Sequence, residues 1–219
     1  MNSTVQVPPG EPSLTWFRAW YATADFPEAG RISYIAGALF VDTDPEPIRS
    51  HVAPKTDLTG QLARLTDELD RGIYLGDGAR VVNEAADFSV EPDGCYLSWE
   101  SFRTGRYRLE PTPDGEDYSE IVGTPDMVLE GVSPSSVHKD RLLLTDLYRI
   151  AGVSEYWLID VRCDRLEFDV NRLTPNGYVS IRTNDGWAPS AVFGREFRLD
   201  RSPDPIGIWQ YTLHVRPLS

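Results

Sequence analysis

PDMVLEGVSPSS at residues 125–136, RLLLTDLYRIAG at 141–152 and EYWLID at 155–160 are the three blocks whose succession decides the fold. MVLEGV reads as a short strand with Glu130 at its centre, and SPSSVHKD reads as a turn. The next block carries an apolar stripe at helical spacing and is closed by Gly152, while EYWLID is a buried strand. Strand, helix and strand in that order imply a crossover, and so a parallel pair within a mixed sheet.

Downstream the pattern turns to antiparallel β: LEFDVNRL, a turn at Thr174-Pro175-Asn176-Gly177, YVSIRT, and short strands near Trp187 and Phe197. Upstream, Pro92-Asp93-Gly94 ends the strand material of ARVVNEAADFSV with turn chemistry, and Ser101 to Gly123 reads as a polar excursion or hairpin outside the core. TDLTGQLARLTDELDRG places Leu58, Leu62, Leu65 and Leu69 at helical spacing, with Thr56 or Asp57 as cap and Gly72 as stop. RISYIAGALFVD predicts a hairpin turning near Ala36-Gly37, and the aromatic LTWFRAWYATADF predicts a helix packed on the core. Residues 1–12, with Pro8, Pro9, Gly10 and Pro12, read as a flexible lead-in to one domain spanning 13–219.

Thirty-four acidic against 21 basic residues give a net charge of −13. The electrostatic footprint of a nucleic-acid binder is therefore absent, which argues against tight binding driven by counter-ion release. Cys95 and Cys163 match no metal-ligand or redox spacing and read as two reduced thiols. His51, His138 and His214 are too scattered in sequence for a metal cluster, and Ser133 and Ser135 read as turn and capping residues. No stretch approaches the ~18 apolar residues of a membrane span, and the first residues lack a signal-peptide pattern, so the expectation is a cytoplasmic protein without membrane association.

The tract from Pro125 to Asp160 resembles the bacterial putative restriction-endonuclease family of the PD-(D/E)XK nuclease superfamily. The residues that carry the likeness are Pro-Asp, a strand with a central Glu, Ser-Pro-Ser, a helix with Leu-Tyr, Gly-Val, and Glu-Tyr-Trp-Leu-Ile-Asp. RISYIAGALF, His51 and ADFSV are weaker landmarks, so the likeness extends over roughly residues 30–200. It implies an α/β fold, a restriction-endonuclease-like mixed β-sheet flanked by helices, with the C-terminal antiparallel β region added. It also implies a Mg²⁺- or Mn²⁺-dependent endonuclease acting on DNA, and self-association as a dimer.

Phosphodiester hydrolysis of this kind needs carboxylates to hold a divalent cation and a lysine to support the nucleophile or the developing charge. By resemblance the metal ligands are Asp87 and Glu130. Asp126 is excluded because its Cα lies about 13 Å from that of Glu130 along an extended strand at ~3.3 Å per residue. The lysine departs from the pattern: two residues after Glu130 stands Val132, and the position on the following helix to which this family moves the lysine is Leu144. An acidic residue expected on the first strand falls near Ser33. Two expectations follow. Either Lys139 or His138 reaches the site from just before the helix and serves as the catalytic cation, with Lys139 the stronger candidate; or Leu144 extends the apolar surface of Leu142 and Leu143, and the protein is a catalytically inactive binding or scaffold protein of nuclease fold.

Overall fold

The computed structural model describes residues 5–27, 30–134, 136–162, 165–183 and 185–218. The helices are α1 (Leu14–Tyr21), α2 (Ala53–Leu69), α3 (Trp99–Arg103) and α4 (Leu144–Ala151). The strands are β1 (Arg31–Ile35), β2 (Ala38–Asp42), β3 (Gly72–Gly76), β4 (Val81–Asn83), β5 (Phe88–Val90), β6 (Gly94–Ser98), β7 (Tyr107–Pro111), β8 (Tyr118–Gly123), β9 (Met127–Gly131), β10 (Glu155–Asp160), β11 (Glu167–Thr174), β12 (Gly177–Ser180), β13 (Ala188–Ser190), β14 (Arg195–Pro203) and β15 (Trp209–Pro217). They form two mixed sheets of six strands, ordered β2-β1-β5-β4-β8-β7 and β12-β11-β10-β9-β6-β3, and a C-terminal antiparallel sheet β13-β14-β15. One mixed sheet was expected; the chain divides its strands between two because each apolar face of the β9–β10 pair needs its own cover.

The expected crossover is present. β9 and β10 run parallel with Glu130 beside Leu158, and the helix between them opens with a wide, π-type turn over Lys139–Leu143 before α4. Alternation along β9 sends Met127 and Leu129 to one face, where they meet Trp157, α2 and the C-terminal sheet. Val128 faces the other way, onto Cys95, Tyr156, Tyr148 of α4 and the first sheet's Val81, Phe88 and Ile121.

The β1–β2 hairpin turns at Ala36 and Gly37, both at positive φ, and Phe17 and Trp20 of α1 pack against its Ile32 and Tyr34. α2 buries Leu58, Leu62 and Leu65 as their spacing predicts, but it begins at Ala53 and stops at left-handed Asp70. Thr56 and Asp57 therefore lie inside it, and Asp57 accepts the Tyr211 amide of β15 at 2.8 Å. The 101–123 segment does contain a hairpin, β7–β8, yet it also enters the core: β8 pairs parallel with β4, and Tyr107, Ile121 and Val122 are buried. Asp126 caps locally, accepting from the Ser98 amide at 2.8 Å and the Ser101 hydroxyl at 2.6 Å. Cys95 is a buried free thiol, whereas Cys163 and Ser135 lie outside the described residues. No helix among the described residues is long and apolar enough to cross a membrane.

Candidate active site

The register of β6 against β9 builds the site. Cys95 pairs with Val128 and Gly94 with Leu129, so one step further along the same ladder Asp93 stands opposite Glu130. Asp93 is 2% exposed and Glu130 3%, and both line a cleft of about 400 Å³ together with Arg31, Glu46, His51, Lys139 and Asp140. Gly131 lets this wall close. A Cβ there would meet Asp93 Oδ2 at 3.2 Å and His51 Nε2 at 3.4 Å.

Asp93 Oδ2 accepts the Gly131 amide at 2.7 Å, and Oδ1 accepts Arg31 Nη1 at 2.7 Å with Lys55 Nζ at 3.3 Å. Burial alone would raise this carboxyl, but His51, Arg31 and Lys55 outweigh it and hold it well below the usual carboxylate range. His51 donates through Nε2 to the Gly131 carbonyl at 2.8 Å and sets Nδ1 3.1 Å from Glu46 Oε2. Burial would lower its pKa, yet the facing Asp93 and Glu46 raise it to about 9. Glu46, His51 and Asp93 therefore cluster closely enough to hold a metal ion, and in the metal-free chain the raised imidazole pairs with both carboxylates.

The other end of the cleft carries unspent acceptor capacity. Glu130 Oε1 accepts the Tyr148 hydroxyl at 2.7 Å, and burial, reinforced by the charges of Asp93 and Asp140, pushes the carboxyl up to about 8. Asp140, 2% exposed, takes the Ser136 hydroxyl on Oδ2, while its Oδ1 is buried without a hydrogen-bond partner. Burial raises this carboxyl to about 6, against the opposing pull of Lys139 and Ser136. Lys139 Nζ stands 3.9 Å from Asp140 Oδ1, at ion-pair distance but beyond a hydrogen bond.

Of the residues singled out from the sequence, Glu130, Lys139 and His51 share this cleft. His51, read as too scattered for a metal cluster, stands in a possible metal-holding group with Glu46 and Asp93 because the fold brings distant segments together. Asp87 does not join them. It sits at the turn between β4 and β5 with φ 51°, half-buried, and its carboxylate receives the Tyr34 hydroxyl at 3.1 and 3.0 Å. The carboxylate opposite Glu130 is Asp93, which sequence reasoning had assigned to a turn. Leu144 is buried against Val132 and Leu147, so that the expected lysine position is part of the core. His138 and Ser33 line a neighbouring groove together, and Lys139 touches both spaces.

The family described as "Uma2: Putative restriction endonuclease" matches residues 16–202. The chain belongs to the Uma2 family. A solved structure with the same fold is that of a putative nuclease belonging to DUF820 from Anabaena variabilis, with TM-score 0.61 and 19% identity over 83% of this chain and 90% of that one. Among proteins of curated function, none matches the chain. For a member of Uma2 the geometry adds a specific set of groups: Asp93 just before β6 and Glu130 on the neighbouring β9, with Asp140 and Lys139 lining the same cleft from the start of the crossover helix.

Proposed function

We propose that the chain is a divalent-cation-dependent phosphodiesterase that cuts DNA slowly, with Glu130, Asp140 and Asp93 around the metal position and Lys139 as the cation beside it. The observation that carries this reading is the cross-strand pair of buried carboxylates, Asp93 and Glu130, in the cleft that also holds Asp140. The residues fit a Mg²⁺ or Mn²⁺ ion. They are hard oxygen donors, Asp140 Oδ1 is a buried acceptor with no hydrogen bond, and no cation hydrogen-bonds Glu130 among the described residues. A divalent ion would offset the burial, and the lesser carboxylate repulsion, that raise both carboxyl groups.

Such an ion supplies polarisation of a phosphoryl oxygen and a bound water acidic enough to attack near neutral pH. The chain's own groups do the rest. The Tyr148 hydroxyl fixes one Glu130 oxygen and leaves the second to a ligand. Lys139, with side-chain exposure of 23%, is free to swing its ammonium toward a phosphate entering the cleft. Asp42, Asp44 and Glu46 also line the cleft and would repel that phosphate, which is why slow turnover is proposed.

The test is Mn²⁺- or Mg²⁺-dependent cleavage of plasmid and single-stranded DNA by wild type, Glu130→Ala and Lys139→Met. The expected result is slow nicking, abolished in Glu130→Ala and reduced about 100-fold in Lys139→Met. Cleavage that survives Glu130→Ala overturns the site. Burial of Leu144 in the core favours a second reading, a non-catalytic binding protein of nuclease fold, and metal binding without cleavage of any DNA would establish that reading instead.

A further inference from the structure

Asp93 is already supplied with cations by the chain itself. Arg31 at the start of β1 and Lys55 in the first turn of α2 converge on its Oδ1 at 2.7 and 3.3 Å. Lys55 is 8% exposed, and a buried ammonium is tolerated only where carboxylates compensate it. Its partners are Asp93, Asp77 at 3.2 Å and Glu46 at 2.7 Å. Arg31 reaches the same three carboxylates. Two features make this an exchangeable arrangement. The shorter Lys55 contact is to Glu46, whose side chain is 31% exposed, so the ammonium keeps a good partner if it leaves Asp93. Glu46 and Asp77 lie on loops outside the strands, whereas Asp93 is fixed by the Gly131 amide and continues the β6–β9 ladder.

We propose that Lys55 and Arg31 are resident counter-ions of Asp93 that compete with a divalent cation for its carboxylate. The cleft then rests in a charge-paired state, and metal reaches Asp93 only as Arg31 and Lys55 shift onto Glu46 and Asp77. This rests on the metal-site reading above and adds to it a reason for weak metal affinity. Lys55 is a positioning residue here: it acts through Asp93 and does not line the cleft. A purely structural role, holding α2 to the sheet, makes the opposite prediction, because removing the ammonium would loosen the site and weaken metal binding.

Calorimetric Mn²⁺ titration of wild type, Lys55→Met, Arg31→Met and Glu130→Ala separates these, with the Mn²⁺-induced rise in Tm as a second readout. Removing a unit charge a few ångströms from a divalent ion at intermediate dielectric is expected to tighten Mn²⁺ binding by about tenfold or more in Lys55→Met and in Arg31→Met. Both variants should also show a larger Mn²⁺-induced rise in Tm than wild type. Where Lys55→Met fails to fold, Arg31→Met, whose side chain is 23% exposed, decides. Binding by Lys55→Met or Arg31→Met when wild type binds too weakly to measure supports the proposal. Unchanged or weaker affinity in the folded variants, with wild type binding and Glu130→Ala not, overturns the counter-ion role and leaves the metal site standing. Binding by none of the chains overturns both.

Discussion

Replacing Glu130 by Gln should stabilise the metal-free protein, and by an amount that depends on pH. The Glu130 carboxyl, fully buried and beside Asp93 and Asp140, rises from an ordinary 4.5 to about 8. Between those values the folded chain holds a proton that the unfolded chain has released. Stability therefore falls as pH rises through this window and levels off above about 8. At 1.36 kcal/mol per pH unit the ceiling is about 5 kcal/mol, and water entering the cleft would reduce it to about 2–3 kcal/mol. Gln keeps an oxygen to accept the Tyr148 hydroxyl and cannot ionise. The variant should match wild type near pH 5 and exceed it by about 2–5 kcal/mol at pH 8.5. His51, raised to about 9, also gives up stability as pH climbs through that value, but it is present in both chains and cancels in the difference. Urea unfolding followed by tryptophan fluorescence, in EDTA at both pH values, measures this. Saturating Mn²⁺ at pH 8.5 should then reverse the order, since only wild type retains the carboxylate to bind it. A Gln variant less stable than wild type at pH 8.5 in EDTA, or a difference that does not change between the two pH values, refutes the argument.

Two further predictions concern groups that hold the scaffold around the site. Arg80 is buried, donates to the Ile32 carbonyl at 3.2 Å, pairs with Glu91, and lies 4.3 Å from the Tyr21 ring centroid, so Arg80→Lys should cost about 2–4 kcal/mol and loosen α1, as a lower urea midpoint. A change under about 1 kcal/mol would show that the planar fork is dispensable. Glu155 collects four donors, the Trp157 indole at 3.0 Å, the Ser190 hydroxyl at 2.6 Å and the amides of Ala191 at 2.7 Å and Val192 at 3.1 Å. Glu155→Ala leaves them buried and unpaired, so it should cost about 3–5 kcal/mol and speed proteolysis within the C-terminal sheet; unchanged proteolysis would mean that this sheet is held by apolar packing alone.

The parts of the molecule that could be read from sequence are those written in local periodicity. The alternation of RISYIAGALFVD specifies the β1–β2 hairpin, the leucine spacing specifies α2, and the strand-helix-strand succession around Glu130 specifies a parallel pair. The parts that misled carry two local meanings at once. Pro92-Asp93-Gly94 has the chemistry of a turn, yet it is also a Pro-Asp entering a strand whose next inward residues, Cys95 and Leu97, are apolar. Lys55 lies three residues before Leu58 and so on the buried side of α2, a charge on an apolar stripe that has to find partners. Asp87 drew attention through its place among weaker landmarks, but a left-handed backbone and the Tyr34 hydroxyl keep its carboxylate at the turn.

By itself, the sequence determined an α/β chain with Glu130 on a core strand, because helix and strand periods and apolar positions are properties of neighbours along the chain; its resemblance to the nuclease family added the fold's expected type and placed Leu144 where a lysine was expected. Tertiary structure alone decided that Asp93 is the carboxylate opposite Glu130, and that Arg31, Lys55 and His51 gather around it. Those contacts depend on the register between β6 and β9 and on where α2 docks, and a register is set by which faces can be buried together, not by the identity of the charged residues it brings face to face.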